Sequence, residues 1–349
     1  MNADVVIIGA GIIGLSTAFE LGRSGASCIV LDSARPGAAS GTAAGLLAPS
    51  VGHLEPDVEA FFTDSLTRFP ALLGTLGEFD ASLAMVIGLI DVSDSSSDTA
   101  DHAMSSDELA ALEPSLAPSR RARFFPRDGA IDNVRLLGAL RAAVRCMPGV
   151  NILTDTAVEL DFGDRDVTAV LESGGRVNGR DVVLAAGAWS AKLRGLPRCL
   201  PVRPLKGQML AMRSDVLRHA VMGNDVYLVP RQGEIAIGAT LEEAGFDLSI
   251  SPEAVDLLRS AAVSICPPLA RATVLRSWAG LRPATPDMLP IIGRDQAQPR
   301  LIYACGHSKN GILLAPATSA VITDLCAGRP PRVDIRAFSA DRFKATAIA

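Results

Sequence analysis

The sequence predicts a two-domain chain of mixed α/β and α+β class: a Rossmann-like layer of parallel strands and helices, and a second domain built on a mostly antiparallel sheet. Three observations carry this. The N-terminus reads strand, glycine turn, helix, strand, acid in that order. The chain has 349 residues, more than the ~250 to 300 at which a single core stops growing. Short strand-like runs at Gln208 to Met212, Val226 to Val229 and Glu234 to Thr240 follow one another without helical spacing between them, as in an antiparallel sheet.

Val5-Val6-Ile7-Ile8 is a β-branched run of the kind that fills a strand covered on both faces. It ends at Gly9-Ala10-Gly11-Ile12-Ile13-Gly14. From Leu15 to Leu21 apolar and small side chains recur at helical spacing, and Gly22, Ser24 and Gly25 supply the stop. Cys28-Ile29-Val30-Leu31 then delivers Asp32, eighteen residues past Gly14. Each part has a role in dinucleotide binding: Gly9 makes the tight turn, Gly11 lets the backbone approach a pyrophosphate, and Gly14 lets helix pack on strand. The helix N-terminus offers unpaired N–H groups and a positive dipole end to the phosphates, and Asp32 can accept the ribose hydroxyls. Ser33 to Leu47 is a run of small residues, rich in Gly and Ala, which permits close backbone approach to a flat ring. The motif alone does not separate FAD from NAD.

Composition excludes several classes. Apolar residues make up 48%, charged residues 20%, and the net charge is -5, so neither disorder nor a basic nucleic-acid surface is indicated. The six cysteines are scattered without a C-x-x-C pair and the four histidines lack ligand spacing, against zinc, other metals or a disulfide framework. Met1 to Asp4 shows no basic leader and no apolar run is long enough for a bilayer, which points to the cytoplasm.

Later segments make the comparison specific. Asp181-Val182-Val183-Leu184-Ala185-Ala186-Gly187-Ala188-Trp189-Ser190, Pro204-Leu205-Lys206-Gly207-Gln208, Trp278-Ala279-Gly280-Leu281-Arg282-Pro283-Ala284-Thr285-Pro286-Asp287 with Pro290-Ile291-Ile292-Gly293, and Gly306-His307-Ser308-Lys309-Asn310-Gly311-Ile312-Leu313-Leu314-Ala315-Pro316 follow in order. With the N-terminal fingerprint and Ala43-Ala44-Gly45-Leu46, they resemble the D-amino-acid oxidase superfamily of FAD oxidoreductases. The last segment is most similar to bacterial glycine oxidases of the thiazole-synthesis type.

The resemblance implies FAD as cofactor and assigns residues to it by position. Ile12 and Ile13 would start the phosphate helix; Asp32 and Ser33 would meet the adenosine; Ser40, Ala44, Gly45 and Leu46 would line pyrophosphate and flavin. Val158 would present its backbone to adenine, and Ala186, Gly187 and Trp189 would form the turn after the returning strand. Gly306, His307, Ser308, Lys309, Asn310, Gly311, Ile312 and Leu313 would cover the pyrimidine edge, where a helix N-terminus stabilises negative charge. Sarcosine oxidases of the superfamily attach FAD through a cysteine that would fall at Gly280, so non-covalent FAD is expected.

For the chemistry, the resemblance implies hydride transfer from the α-carbon of glycine, sarcosine or a small D-amino acid to flavin N5. Arg282 is the expected carboxylate clamp, because a guanidinium makes two parallel charge-assisted hydrogen bonds. Tyr227 matches the family tyrosine that also reaches the carboxylate, and Leu46 and Leu241 are expected pocket walls, with Asp225 favouring the ammonium. Lys309 departs from the arginine usual in glycine oxidases, replacing a fork by a point charge on a flexible stem. No general base is required if a neutral amine delivers hydride.

The expected division is an FAD domain of residues 1–60, 130–197 and 276–349 and a substrate domain of 61–129 and 198–275. Ser93 to Ser97 is expected to be an exposed polar loop. Three functions remain open: an oxidase passing electrons to O2, a dehydrogenase of the same fold using a quinone or protein acceptor, and a flavin-binding module whose cations serve a protein partner. A homotetramer is implied by the glycine-oxidase resemblance alone.

Overall fold

The computed structural model describes residues 1–51, 54–92, 102–119, 122–223 and 225–343; the stretch Ser93 to Ser97 lies outside them. The strand Asn2–Ile8 runs parallel to Cys28–Leu31 on one side and to Arg176–Leu184 on the other. Val150–Leu153 and Leu301–Cys305 extend the parallel run, Ile291–Arg294 adds an antiparallel edge, and the Ala157–Phe162 and Val167–Leu171 hairpin joins through Arg176–Leu184. Successive side chains of a strand point to opposite faces, so one short run feeds two cores. Val5 and Ile7 pack with the helices Ile12–Arg23, Asn133–Arg145 and Gly311–Cys326, whereas Val6 and Ile8 pack with Leu160, Val167 and Ala169 of the hairpin. The first helix ends where expected: Ser24 is its cap and Gly25 adopts φ +86°, a conformation glycine takes without a steric cost.

The second sheet has the order Val274–Ala284, Arg203–Met212, Glu234–Gly238, Val226–Arg231, Ala220–Gly223, Met85–Asp91, Ala122–Ile131, Leu46–Leu47, with Ala103–Met104 beside Ala122–Ile131. All its pairings are antiparallel except Ala220–Gly223 against Met85–Asp91. One face buries Leu210, Leu228 and Ile237 under the helix Pro252–Ile265. The opposite face carries Met209, Tyr227 and Leu46.

Two parts of the expected division fall on the other side. The helices Pro56–Thr67 and Phe69–Leu76 place Phe61, Phe62, Leu66 and Phe69 in the core of the parallel sheet, against the Gly311–Cys326 helix. Their helical apolar spacing demands a hydrophobic partner without naming which one. Trp278 to Ala284 belongs to a strand of the antiparallel sheet, paired from Arg203↔Ala284 to Gln208↔Ala279 and beyond. Arg282 is therefore delivered from the second sheet, next to Leu205.

Candidate active site

A cavity of about 1570 Å³ is lined by residues of both sheets, larger than the roughly 300–1,000 Å³ of an ordinary small-ligand site. Its first end is the glycine turn. Gly9 sits at φ +110° and donates its N–H to the Leu31 carbonyl at 2.8 Å. A Cβ at Gly9 would collide with the Ala185 carbonyl oxygen, and one at Gly14 with the Gly9 carbonyl oxygen. Gly14 does not line the cavity; it works from behind, holding helix to turn. A Cβ at Gly11 would stand 2.9 Å from Ser40 Oγ, which already accepts the Ile12 N–H at 2.9 Å. The Gly11 N-cap offers no side chain, so beyond the Ile12 N–H taken by Ser40 the next first-turn donors, at Ile13 and Gly14, are available to an anion.

Asp32 lines this end with Ser33. One carboxylate oxygen accepts from Arg141 Nη1 at 2.8 Å and the other from the Ala34 N–H at 3.0 Å, while Arg141 Nη2 reaches the Ala10 carbonyl at 3.2 Å. Arg141 thus braces both the acid and the turn. In the sequence it reads as a solvated charge on an amphipathic helix, because nothing local says that the helix end meets the turn. Val158 lines the same end. The register skips it, passing from Ala157↔Leu171 to Glu159↔Val170, and its carbonyl accepts from the Arg194 N–H at 3.1 Å. A bulge of this kind releases a residue from the ladder and re-aims it.

The middle of the cavity is walled by Ser40, Ala44, Gly45 and Leu46 on one side, by Ala186, Gly187 and Trp189 on another, and by Gly306 to Ile312 on a third. Leu313 is the exception. It is buried in the core and its carbonyl accepts from Ser65 Oγ at 2.7 Å, because helical rotation turns it away from the cavity that Ile312 lines. His307 lines the cavity yet is 2% exposed, with Nε2 3.1 Å from Thr318 Oγ1. Burial pulls its imidazole from the ordinary 6.5 down to about 3, so it stays neutral. A folded pKa below the unfolded one gives stability that is present above pH 6.5 and lost as pH falls toward 3. Denaturant unfolding of the wild type and His307→Gln should show the wild type losing about 2 kcal/mol more between about pH 6.5 and about pH 5; equal losses would mean that His307 is not held neutral by burial.

The far end holds the expected substrate groups. Arg282 Nη1 donates to the carbonyls of Thr240 at 3.2 Å and Lys206 at 3.5 Å, and no carboxylate among the described residues lies within ion-pair distance of it. The neighbouring glycine makes its space: a Cβ at Gly207 would lie 2.7 Å from the guanidinium carbon. Gly238 does the same for Tyr227, whose hydroxyl would be 2.8 Å from a Cβ there. Arg282, Tyr227, Leu46, Met209 and Met222 line the cavity, the last four packed in one cluster. Leu241 also lines it but is 69% exposed, so it forms part of the mouth rather than an inner wall. Lys309 is an exposed lining residue with no ion-pair partner among the described residues. Asp225 does not line the cavity; it is exposed at φ +61° in the turn before the Val226–Arg231 strand. Two-residue alternation could not show that the turn carries its carboxylate outside.

The glycines whose missing side chains make the turn, the acid beside it, and the volume of the cavity fit a dinucleotide bound on the parallel sheet. That combination defines a nucleotide-dependent oxidoreductase. A profile of the DAO family, FAD dependent oxidoreductase, matches residues 4–325. The glycine oxidase of Pseudomonas putida is 33% identical, covering 96% of this chain and 97% of that protein, and the glycine oxidase of Pseudomonas aeruginosa is 35% identical over 96% and 97%. The crystal structure of glycine oxidase from Geobacillus kaustophilus superposes with a TM-score of 0.90 at 28% identity, covering 98% of this chain and 99% of that one. The chain belongs to the DAO family of FAD-dependent oxidoreductases, and FAD is its cofactor. Among the described residues no helix is long and apolar enough to cross a membrane.

Proposed function

We propose that the protein is an oxidase of glycine, sarcosine or a small D-amino acid, clamped by Arg282 and Tyr227 while the Cα–H bond is broken. FAD-dependent oxidation of an amino acid at its CH–NH bond is the chemistry of its glycine oxidase relatives. The observation that carries the finer reading is Arg282: a half-buried guanidinium on the cavity wall, held among the described residues by two main-chain carbonyls. A cation so placed lacks an anion, and a substrate carboxylate supplies one with two parallel hydrogen bonds. The Tyr227 hydroxyl, which donates weakly to Met209 Sδ at 3.9 Å, can serve as a second donor. Leu46, Met209 and Met222 give the cavity apolar walls, which exclude water and strengthen the clamp.

FAD, held by the turn Gly9 to Gly14, Asp32 and residues 40–46, would supply a two-electron acceptor for the α-carbon hydride, with O2 as final oxidant and the hydride and the amine proton together giving the two hydrogens of H2O2. The amine nitrogen loses a proton, and the released imine takes up water to give the oxo acid and ammonia or a primary amine. No residue of this chain needs to act as base toward a neutral amine. The cofactor is held without a covalent bond in this reading: Gly280 carries no sulfur, and burial pushes the thiol of Cys305, which lines the cavity, up to about 12, far from the reactive thiolate. Acid precipitation should leave the yellow colour in the supernatant. A cytoplasmic assembly of four copies completes the proposal, with light scattering in solution as the check.

The test is an aerobic panel of glycine, sarcosine, D-alanine, D-proline and D-hydroxyproline followed for peroxide, and the same panel without air followed for loss of flavin absorbance. Bleaching with peroxide supports the oxidase; bleaching without peroxide replaces it with a dehydrogenase; no bleaching removes the amino-acid reading. Lys309→Arg is expected to raise kcat/KM for glycine relative to the larger substrates, because a fork grips a carboxylate better than a point charge. An unchanged ratio would return Lys309 to the status of an exposed charge at the rim.

A further inference from the structure

We propose that Arg231 is a positioning residue for the cofactor: through Asn133 and Ser40 it ties the antiparallel sheet to residues 40–46 and to the first turn of the phosphate-facing helix. The inference rests on the proposed placing of residues 40–46 against FAD. Arg231 ends the strand that carries Tyr227, and its side chain is 5% exposed. Its Nη2 donates to the carbonyls of Ala43 and Ala44, both at 3.1 Å, and to Asn133 Oδ1 at 2.6 Å. Asn133 Nδ2 in turn donates to the Ser40 carbonyl at 2.6 Å, and Ser40 Oγ accepts the Ile12 N–H at 2.9 Å. An unbroken chain therefore runs from the substrate-side sheet to the phosphate helix.

Among the described residues no carboxylate is in hydrogen-bonding contact with this charge; Asp132 and Glu234 act on it only through space. Glu234 stands 3.8 Å away and is gripped more closely by Arg276, with Nη2 to Oε1 at 2.6 Å, and Arg231 Nε is buried without a partner. An apolar side chain would avoid that desolvation, so stability alone does not account for an arginine here. What the guanidinium does supply is direction. In a trans peptide C=O and N–H point opposite ways; drawing the Ala43 and Ala44 carbonyls to Arg231 turns the N–H groups of Ala44 and Gly45 away from it. Ala43, Ala44 and Gly45 line the cavity and Arg231 does not. The arginine thus holds two backbone donors in place for the cofactor from behind.

The experiment measures FAD affinity by adding FAD to stripped apoprotein and following flavin fluorescence, beside the thermal midpoint of the apoprotein. Arg231→Met is expected to bind FAD about 10- to 100-fold more weakly, the loss of a charge-assisted hydrogen-bond set, and to shift the flavin absorption band. Arg231→Lys should recover only part of the affinity, having one point donor where the fork has several. Arg276→Met, on the surface side of Glu234, should leave it unchanged. Asn133→Asp separates positioning from simple packing: it offers the buried arginine a carboxylate, so apoprotein stability should hold or rise, yet it lacks the donor to Ser40 and FAD should bind more weakly. That variant also carries the test if Arg231→Met fails to fold. FAD affinities within about twofold of wild type for both variants would overturn the proposal. In that event a weakened Ser40→Ala would keep residues 40–46 at the cofactor and remove only the role of Arg231, whereas an unaffected Ser40→Ala would remove that placing as well.

Discussion

Replacing Arg282 with methionine is expected to lower kcat/KM for amino-acid substrates by roughly 30-fold to several thousand-fold, the range for removing one partner of a desolvated charge pair. The guanidinium is held by the Thr240 and Lys206 carbonyls, and no carboxylate of the described protein neutralises it, so the substrate carboxylate is its only strong partner in the proposed complex. Methionine keeps most of the volume in the space that Gly207 leaves open, and FAD content and thermal midpoint should stay close to wild type. An amine of the same size without a carboxylate should lose little. Steady-state kinetics on such a matched pair is the check: an equal loss for both compounds would move Arg282 from the carboxylate to general support of the site, and no loss for either would remove it from the clamp.

Gly9→Ala is expected to yield protein largely free of FAD. Two penalties act together at this position. A side chain at φ +110° costs about 1–2 kcal/mol for leaving the right-handed regions, and the new Cβ runs into the Ala185 carbonyl oxygen, an overpacking cost of about 1–3 kcal/mol. Because that oxygen belongs to backbone at the end of the adjacent parallel strand, it cannot turn aside. At Gly11 the obstacle is Ser40 Oγ at 2.9 Å, the end of a side chain that can rotate. Flavin content on purification and the thermal midpoint should therefore fall further for Gly9→Ala than for Gly11→Ala. The reverse order would show that the approach to the phosphates, not the shape of the turn, limits binding.

The nucleotide half of the cavity was legible because its chemistry is local. Gly9 to Gly14 and Asp32 act over one strand and one helix, so their spacing carries their expected role, whereas Ser40 to Leu46 took theirs from the family resemblance. The substrate half was proposed only through family resemblance. Arg282 looks like any arginine in an apolar stretch until Gly207, seventy-five residues earlier in the chain, is seen to make room for it. Leu313 and Asp225 were misplaced for the same reason: one helical step past Ile312 turns Leu313 into the core, and the turn before Val226 carries Asp225 outward. Arg141 and Arg231 left no usable signal, since each is a single charge whose partners, Asp32 and Ala10 in one case and Ala43, Ala44 and Asn133 in the other, lie far away in sequence.

The sequence by itself determined the strand–turn–helix that receives a dinucleotide, the pairing of a parallel with an antiparallel sheet, and the kinds of side chain available for an amino acid. Tertiary structure decided which sheet owns Trp278 to Ala284, which core receives the helices of residues 56–76, and that Arg141 lines the cavity while Arg231 stands behind it. The physical reason is that periodicity records that a residue must be buried or a backbone must bend, whereas the partner that satisfies a guanidinium or an apolar face is chosen only when distant segments meet.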